Sequence, residues 1–266
     1  MTKVEKRRFS GHFEEMGTGP PLLCCPGFGC SNWIFKDLAL AMESSARWIM
    51  PDPRGMGLSP KAHESYTIAD LADDGSLLMD DLGHERFWVM GISMGGFIAQ
   101  SLALAHPNRV SGLLLLCTTG PGPDFPQLPE LEEPLLRAWY DMDPATVVRA
   151  NTDATVHPGL KRRNPQRYLE IVDAKLRHRA ELDQVLLQRE ATRTYLKEAR
   201  PLERIACPTL VLCGENDRFV VPESSRLLAE KIPGAELRLF PQSDHLFFLE
   251  KTAEVTAAIR EFLESL

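Results

Sequence analysis

The sequence contains no long run of apolar residues and no recognisable targeting segment. Nothing in its 266 residues approaches the ~18 consecutive apolar residues that a membrane-spanning helix needs. Residues 1–8 carry charges, but no apolar segment follows them, which is not the pattern of a secretory signal. We therefore expect a cytoplasmic protein that does not associate with membranes.

Basic clusters are also scarce. The formal net charge is −7, and no run of lysine and arginine is longer than the three residues of Lys161-Arg162-Arg163. Proteins that bind DNA or RNA usually carry a basic patch or stripe. We therefore expect no nucleic-acid partner.

Cysteines at metal-binding spacing are absent as well. The six cysteines show no paired spacing of the kind that holds zinc. Four of them fall within apolar runs, namely Cys24, Cys25, Cys117 and Cys213. Small buried side chains in a reducing compartment are the simplest interpretation, so we expect no metal site.

Short apolar runs alternate with stretches that carry apolar residues at helical spacing. This alternation predicts an α/β fold with a mostly parallel central sheet covered by helices on both faces. The predicted strands are 21–25, 47–50, 87–90, 110–117, 209–213 and 236–240. The predicted helices among them are 68–82, 94–105, 222–231 and 253–263.

Residues 121–200 interrupt this alternation. They begin with a proline-rich segment and continue with helix-like pieces at 131–141, 144–151, 164–177 and 182–197. A helical insertion between two strands is typical of a cap over the sheet edge that carries a site. We predict a core made of 1–120 and 201–266, and a helical cap, or lid, over 121–200.

A serine stands between two glycines directly after an apolar run. Gly91, Ser93 and Gly95 match the pattern Gly-x-Ser-x-Gly, which between a strand and a helix forms a sharp turn that exposes the serine oxygen. Glycine is needed on both sides because neighbouring backbone occupies the space of a Cβ atom. The pattern predicts that Ser93 is a nucleophile.

A serine nucleophile needs a base, and the base needs a carboxylate that fixes its tautomer. His245 follows the last predicted strand and is the best placed of the seven histidines. Asp217 follows the preceding strand, which gives the chain order serine, aspartate, histidine. Glu215 and Asp244 are alternatives, but the first lies close to its strand and the second adjoins the histidine, so its side chain should point elsewhere.

Acyl transfer also needs two N–H donors for the oxyanion that develops on the carbonyl oxygen. The Met94 amide follows the nucleophile directly. The second donor should come from the loop 25–30, where two glycines permit close approach of the backbone, and Phe28 is its expected source.

With these residues in place, the chain resembles the serine α/β-hydrolase superfamily over essentially its whole length. Residues 52–59 (Asp-Pro-Arg-Gly-Met-Gly-Leu-Ser) resemble the family's Asp-x-Arg-Gly-x-Gly-x-Ser loop, and 208–217 resemble its acid-bearing strand. Residues 91–96 are similar to capped carboxylesterases, enol-lactonases and cofactor-free haloperoxidases. Haloalkane dehalogenases and epoxide hydrolases have aspartate where this chain has Ser93. Pro26 stands where the family commonly has histidine, which implies a changed loop anchor.

Residues and resemblance together predict a serine esterase, a carboxylesterase that cleaves small carboxylic esters through an acyl-enzyme without a metal or organic cofactor. An apolar pocket would favour an acyl or aryl group. Its expected lining is Phe28, Met94, Trp33, Phe125, Trp139 and Leu246. Trp33 and Trp139 could equally pack the cap against the core. Arg54 or the cap arginines could bind a substrate carboxylate, although arginines on amphipathic helices are mostly solvated.

Two alternatives stay open at this point. The same triad could open an enol-lactone of the 3-oxoadipate type, hydrolyse a C–C bond or carry out perhydrolysis, because pocket shape rather than the triad selects the reaction. A ligand receptor that keeps the triad and signals through its cap is an alternative of another class. The expected partner is a small ester or lactone, and the expected state is a monomer or small homo-oligomer.

Overall fold

The computed structural model describes residues 8–266, and residues 1–7, which carry most of the expectation about a secretory signal, lie outside the described part. The strands are β1 (Phe13–Met16), β2 (Pro21–Cys25), β3 (Arg47–Pro51), β4 (Phe87–Ile92), β5 (Val110–Leu116), β6 (Thr209–Gly214) and β7 (Glu236–Phe240). They form one sheet in the order β1-β3-β2-β4-β5-β6-β7. β1 pairs antiparallel with β3, and the other neighbours pair in parallel, which confirms the predicted α/β class with a mostly parallel sheet.

The helices pack around this sheet and within the segment between β5 and β6. They are α1 (Lys36–Ala41), α2 (Ile68–Asp81), α3 (Met94–Ala105), α4 (Glu133–Asp141), α5 (Pro144–Thr155), α6 (Leu160–Arg163), α7 (Pro165–Arg177), α8 (Leu182–Leu196), α9 (Pro222–Lys231), α10 (Phe247–Glu250) and α11 (Thr252–Glu264). Short 3₁₀ helices cover Asn32–Phe35 and Leu202–Arg204.

The strands β2 to β7 and the long helices agree with the sequence prediction, whereas β1 and the short helices α1, α6 and α10 were not predicted. A helix of four to six residues makes fewer than two turns, which is too few to show helical periodicity, and β1 has two exposed residues among its four instead of an apolar run. α5 runs on to Thr155, beyond the predicted end at 151. Its last turn, residues 152–155, carries no large apolar side chain, so no apolar pattern marks where the helix ends.

Helices cover both faces of the sheet, and successive residues of its central strands point to opposite faces. In β2, Leu22 and Cys24 join one hydrophobic cluster, whereas Leu23 and Cys25 join the other. The inner strands are therefore continuously apolar, as expected when helices cover both faces of a parallel sheet.

The segment between β5 and β6 consists of helices and the loops that connect them. Residues 117–208, all of them described, contain α4 to α8 and no strand. The assignment of 121–200 as a separate cap stays a prediction. Among the described helices, none combines the length and the apolar character required to cross a membrane.

The parallel strands bring chemistry-bearing residues to a single edge of the sheet. The segments that follow β2, β4, β5, β6 and β7 all leave at the carboxyl ends of the strands, where open α/β sheets build their sites. These segments contain the loop 25–30, Ser93, Cys117, Asp217 and His245 respectively.

Candidate active site

Ser93 occupies a strained turn between β4 and α3. Its backbone has φ 54° and ψ −119°, a conformation that costs a non-glycine residue free energy of about 1–3 kcal/mol. The surroundings hold it there: the Ser93 N–H donates to the Leu116 carbonyl at 2.9 Å, and the Thr118 hydroxyl donates to the Ser93 carbonyl at 2.7 Å. The side chain stays partly exposed, so the strained turn presents its oxygen.

The two glycines around the serine allow close packing of this turn. A Cβ on Gly91 would lie 2.4 Å from the Gly95 carbonyl oxygen, and one on Gly95 would lie 1.8 Å from the Cys25 carbonyl oxygen. Such distances are impossible for any larger residue. The glycines therefore bring the serine turn against the end of β2, where the loop 25–30 begins.

His245 and Asp217 form a buried pair. His245 Nδ1 lies 2.8 Å from Asp217 Oδ2, and both residues are almost fully buried. The other carboxylate oxygen of Asp217 accepts the N–H groups of Phe219 and Val220 at 2.9 and 2.8 Å. A carboxylate facing Nδ1 favours a proton on that nitrogen, which leaves Nε2 as the proton acceptor.

The alternative carboxylates are placed differently. Asp244 is fully buried, but its oxygens accept the Arg218 Nε–H at 2.6 Å, the Arg218 backbone N–H at 3.0 Å and the His245 backbone N–H at 2.8 Å. Glu215 is exposed to solvent. Of the three candidate carboxylates, the structure pairs Asp217 with the imidazole.

A buried thiol lies between the serine turn and the histidine–aspartate pair. Burial, and then the charge of Asp217, raises the pKa of Cys117, while a hydrogen bond with the Ser93 backbone opposes that rise.

Within residues 8–266, no hydrogen bond joins the Ser93 hydroxyl to His245. Such bonds commonly tighten only when substrate binds, so a shared role does not require one here.

The loop 25–30 and the start of α3 offer two free N–H groups. Met94 opens α3, and the first N–H groups of a helix have no intrahelical acceptor. Within the described residues the Phe28 N–H makes no hydrogen bond, and the Cys30 N–H closes a turn onto the Gly27 carbonyl at 3.1 Å.

Gln188 of α8 holds this loop and was not found in the sequence. Its Oε1 accepts the Gly29 N–H at 2.6 Å, and its side chain is fully buried. The anchor for a loop that has Pro26 in place of the family's histidine therefore comes from the segment predicted as the cap. The sequence carried no signal for Gln188, because a single polar residue on a helix usually faces solvent.

The predicted pocket residues fall into different surroundings. Phe28, Met94 and Phe125 belong to the cluster on one side of the sheet, and Trp33 and Leu246 belong to the other. Trp139 on α4 is half-buried and contributes to neither cluster. The predicted lining is thus divided between two packing clusters, and the pocket stays a prediction.

Arg54 is engaged away from the histidine–aspartate pair. Its Nε and Nη2 donate to the Asp74 carboxylate at 2.5 and 2.8 Å. Both residues line a cavity of about 400 Å³ that also includes Pro26, Asp52 and Lys61. This cavity contains none of the residues predicted as the triad.

Comparisons with known proteins agree with this architecture. A family model for the alpha/beta hydrolase fold matches residues 20–252. The chain is 28% identical over 270 residues to a protein named as the carbamate hydrolase RutD from Caulobacter sp. (strain K31), covering 95% of this chain and 96% of that protein.

Solved structures give the same result. A thermophilic esterase from Thermogutta terrifontis superposes with a TM-score of 0.84 at 29% identity, covering 96% of this chain and 93% of that one. Est816, described as an N-acyl homoserine lactone degrading enzyme, superposes with a TM-score of 0.77 at 28% identity, covering 94% and 96%. With its strained serine turn at the carboxyl edge of a mostly parallel sheet, and a family model that matches most of its length, this chain belongs to the α/β hydrolase family, and it is a hydrolase.

Proposed function

We propose that this hydrolase cleaves small carboxylic esters through an acyl-enzyme formed on Ser93. The observation that carries the proposal is the buried contact of 2.8 Å between His245 Nδ1 and Asp217 Oδ2, at the same sheet edge as the strained serine turn. This pair gives the imidazole the tautomer that can accept a proton from a serine hydroxyl.

In the proposed reaction, Ser93 Oγ attacks the ester carbonyl while His245 Nε2 takes its proton. The N–H groups of Phe28 and Met94 stabilise the tetrahedral oxyanion. When the intermediate collapses, the imidazolium protonates the departing alcohol, and Ser93 carries the acyl group. A water molecule deprotonated by His245 then releases the acid. Asp217 orients the imidazole and stabilises its charged form.

Lactone opening is the second candidate, because the same acyl chemistry applies to a cyclic ester. Its support is the likeness at 28% identity to Est816, the lactone-degrading enzyme. The similarity to RutD adds carbamates to the substrates worth testing.

We also propose that 121–200 acts as a cap over Ser93 and that the protein is cytoplasmic, as a monomer or small homo-oligomer. The six cysteines are free thiols, which a reducing compartment favours. Cell fractionation tests the location, and recovery from a membrane or secreted fraction would contradict a cytoplasmic location. Size-exclusion chromatography tests the oligomeric state.

The central experiment compares the wild-type protein with Ser93→Ala on p-nitrophenyl esters of short and long acids, on lactones and on carbamates. We expect multiple turnover of short esters and a loss of at least ~10³-fold in kcat for the variant. Retention of most activity by Ser93→Ala contradicts the mechanism. Activity confined to lactones favours the second candidate, and a single slow turnover favours a ligand receptor.

A further inference from the structure

The buried face of α7 ends in a lysine. Tyr168, Ile171 and Val172 form the buried stripe of this helix, and Lys175 occupies the next position at the same helical spacing. A core-facing position normally carries an apolar side chain, and buried lysines are rare unless they are paired. The position of Lys175 therefore calls for an explanation.

The partners of this lysine are neutral. Its Nζ donates to Asn151 Oδ1 at 2.7 Å and to Thr155 Oγ1 at 3.0 Å, both on α5. Within residues 8–266 it forms no ion pair, whereas Arg54 and Arg218 each bind a carboxylate. An ammonium has three N–H donors, so one of them is left for a ligand.

Lys175 lies between the two loops that frame the candidate active site. The Thr155 carbonyl accepts the N–H of Leu246, the neighbour of His245, at 2.9 Å. On the other side, the thiol of Cys30, from the loop that presents the Phe28 N–H, interacts electrostatically with Lys175. One turn further along, His178 stacks on Trp33 with ring centroids 6.0 Å apart.

The Lys175 ammonium is packed among protein atoms but stays accessible to solvent. Burial lowers the pKa of Lys175 to about 8, and the nearby Cys30 thiol opposes that shift. Lys175 nevertheless keeps partial solvent exposure, and its acceptor Asn151 is exposed, so a ligand can reach the ammonium. Within residues 8–266 no carboxylate compensates this charge, and an anionic ligand supplies one.

We propose that Lys175 binds a carboxylate of the substrate other than the acyl group attacked by Ser93, so that half-esters of dicarboxylic acids, or lactones bearing a carboxylate, are preferred. This inference rests on the proposed function of Ser93. Lys175 then acts as a specificity-determining residue that places the anionic end of the substrate between α5, α7 and the loop 25–30.

The test uses two p-nitrophenyl esters of similar length, the mono-ester of glutaric acid and the neutral ester of pentanoic acid. We expect Lys175→Met to lower kcat/KM for the anionic ester about 10- to 100-fold, as for the loss of a hydrogen bond to a charged group. The neutral ester should change less than about 3-fold. Equal losses on both esters, or no loss on either, overturn the assignment.

A matched control removes a charge elsewhere. Lys197→Met changes an exposed lysine at the end of α8 and should leave the ratio of the two kcat/KM values unchanged. Lys175→Gln provides a second variant should the methionine variant fail to fold, which circular dichroism reports. A change of the ratio in Lys197→Met as large as that in Lys175→Met contradicts a specific role for Lys175.

A binding measurement separates this inference from the ester-cleavage proposal. Calorimetric titration of the Ser93→Ala protein with monomethyl glutarate should give a Kd about 10-fold lower than that of the Ser93→Ala, Lys175→Met double variant. Equal affinities, or no binding to either, overturn the role of Lys175. If the wild-type protein hydrolyses neither ester, the proposed function fails, and the difference in Kd still decides the role of Lys175.

Discussion

Asp217 and Asp244 are both buried carboxylates near His245, and they bind different atoms of it. Asp217 contacts the imidazole, whereas Asp244 accepts the backbone N–H of His245 and pairs with Arg218. The first contact determines which ring nitrogen is protonated. The second determines where the backbone of the histidine lies.

Asparagine at these two positions should therefore have different effects. In Asp217→Asn, the amide oxygen can keep the two backbone N–H donors, so its NH₂ faces Nδ1 and favours the wrong tautomer. We expect kcat for a short ester to fall about 10³- to 10⁴-fold. In Asp244→Asn, we expect kcat to change less than about 10-fold, and the free energy of unfolding to fall by about 1–3 kcal/mol through the lost pair with Arg218.

Steady-state kinetics and urea unfolding of both variants provide the measurement. The reverse ranking in kcat would assign the catalytic carboxylate to Asp244. Because Arg218 is half-exposed, Arg218→Ala serves as a control that disturbs the same pair from its other side. Its unfolding free energy should fall while its kcat stays close to that of Asp244→Asn.

At the scale of the element, α8 presents two buried glutamines on one face, a single helical turn apart. Gln184 binds the backbone of Ala62, with Oε1 accepting its N–H at 2.9 Å and Nε2 donating to its carbonyl at 3.1 Å. Gln188 binds Gly29 in the loop 25–30. Both glutamines thus tie α8 to loops of the sheet, and Gln188 ties it to the loop that carries Phe28.

Gln188→Ala should lower kcat for a short ester about 10-fold and leave KM nearly unchanged. The Gly29 N–H loses its acceptor, so the neighbouring Phe28 amide is held less firmly where the oxyanion develops. Gln184→Ala is the matched control: it removes a buried glutamine from the same helix face, and we expect a loss of stability without the loss of kcat. Similar kcat values for the two variants would show that Gln188 has a structural role alone.

At the scale of the whole molecule, the helices between β5 and β6 are tied to the sheet at several separate points. Arg218 donates to the carbonyls of Asp153 and Val156 at 3.0 Å each, at the end of α5. Arg167 of α7 binds the Asp37 carboxylate and donates to the Leu249 carbonyl at 2.8 Å. These ties add to the contacts made by Gln188 and Thr155.

Such ties predict that the helices between β5 and β6 and the sheet unfold together. We expect urea transitions followed by far-ultraviolet circular dichroism and by tryptophan fluorescence to coincide. Arg167→Ala should keep one transition at a lower midpoint, because it removes a single tie among several. A loss of helical signal at lower urea than the change in fluorescence would show that the helices between β5 and β6 unfold first.

Much of the fold follows from patterns that are local in the chain. Continuous apolar runs reveal the strands β4, β5 and β6, because both faces of these strands are buried. Apolar residues at helical spacing reveal the helices α2, α3 and α9, because the sheet covers one face of each helix. The candidate triad was predicted for a related reason: Ser93 carries its own turn motif, and Asp217 and His245 each follow a recognisable strand. Lys175 and Gln188 gave no such signal, because single polar residues on helices usually face solvent.

The sequence by itself determined the inner strands, the serine turn and the chain order serine, aspartate, histidine, because apolar runs and turn motifs depend on neighbours within a few positions. The tertiary structure decided which of Asp217 and Asp244 faces the imidazole, which residue anchors the loop 25–30, and where the charge of Lys175 lies. These outcomes depend on distances between segments far apart in the chain. Local periodicity does not record such distances, and packing of the helices between β5 and β6 against the strand ends sets them.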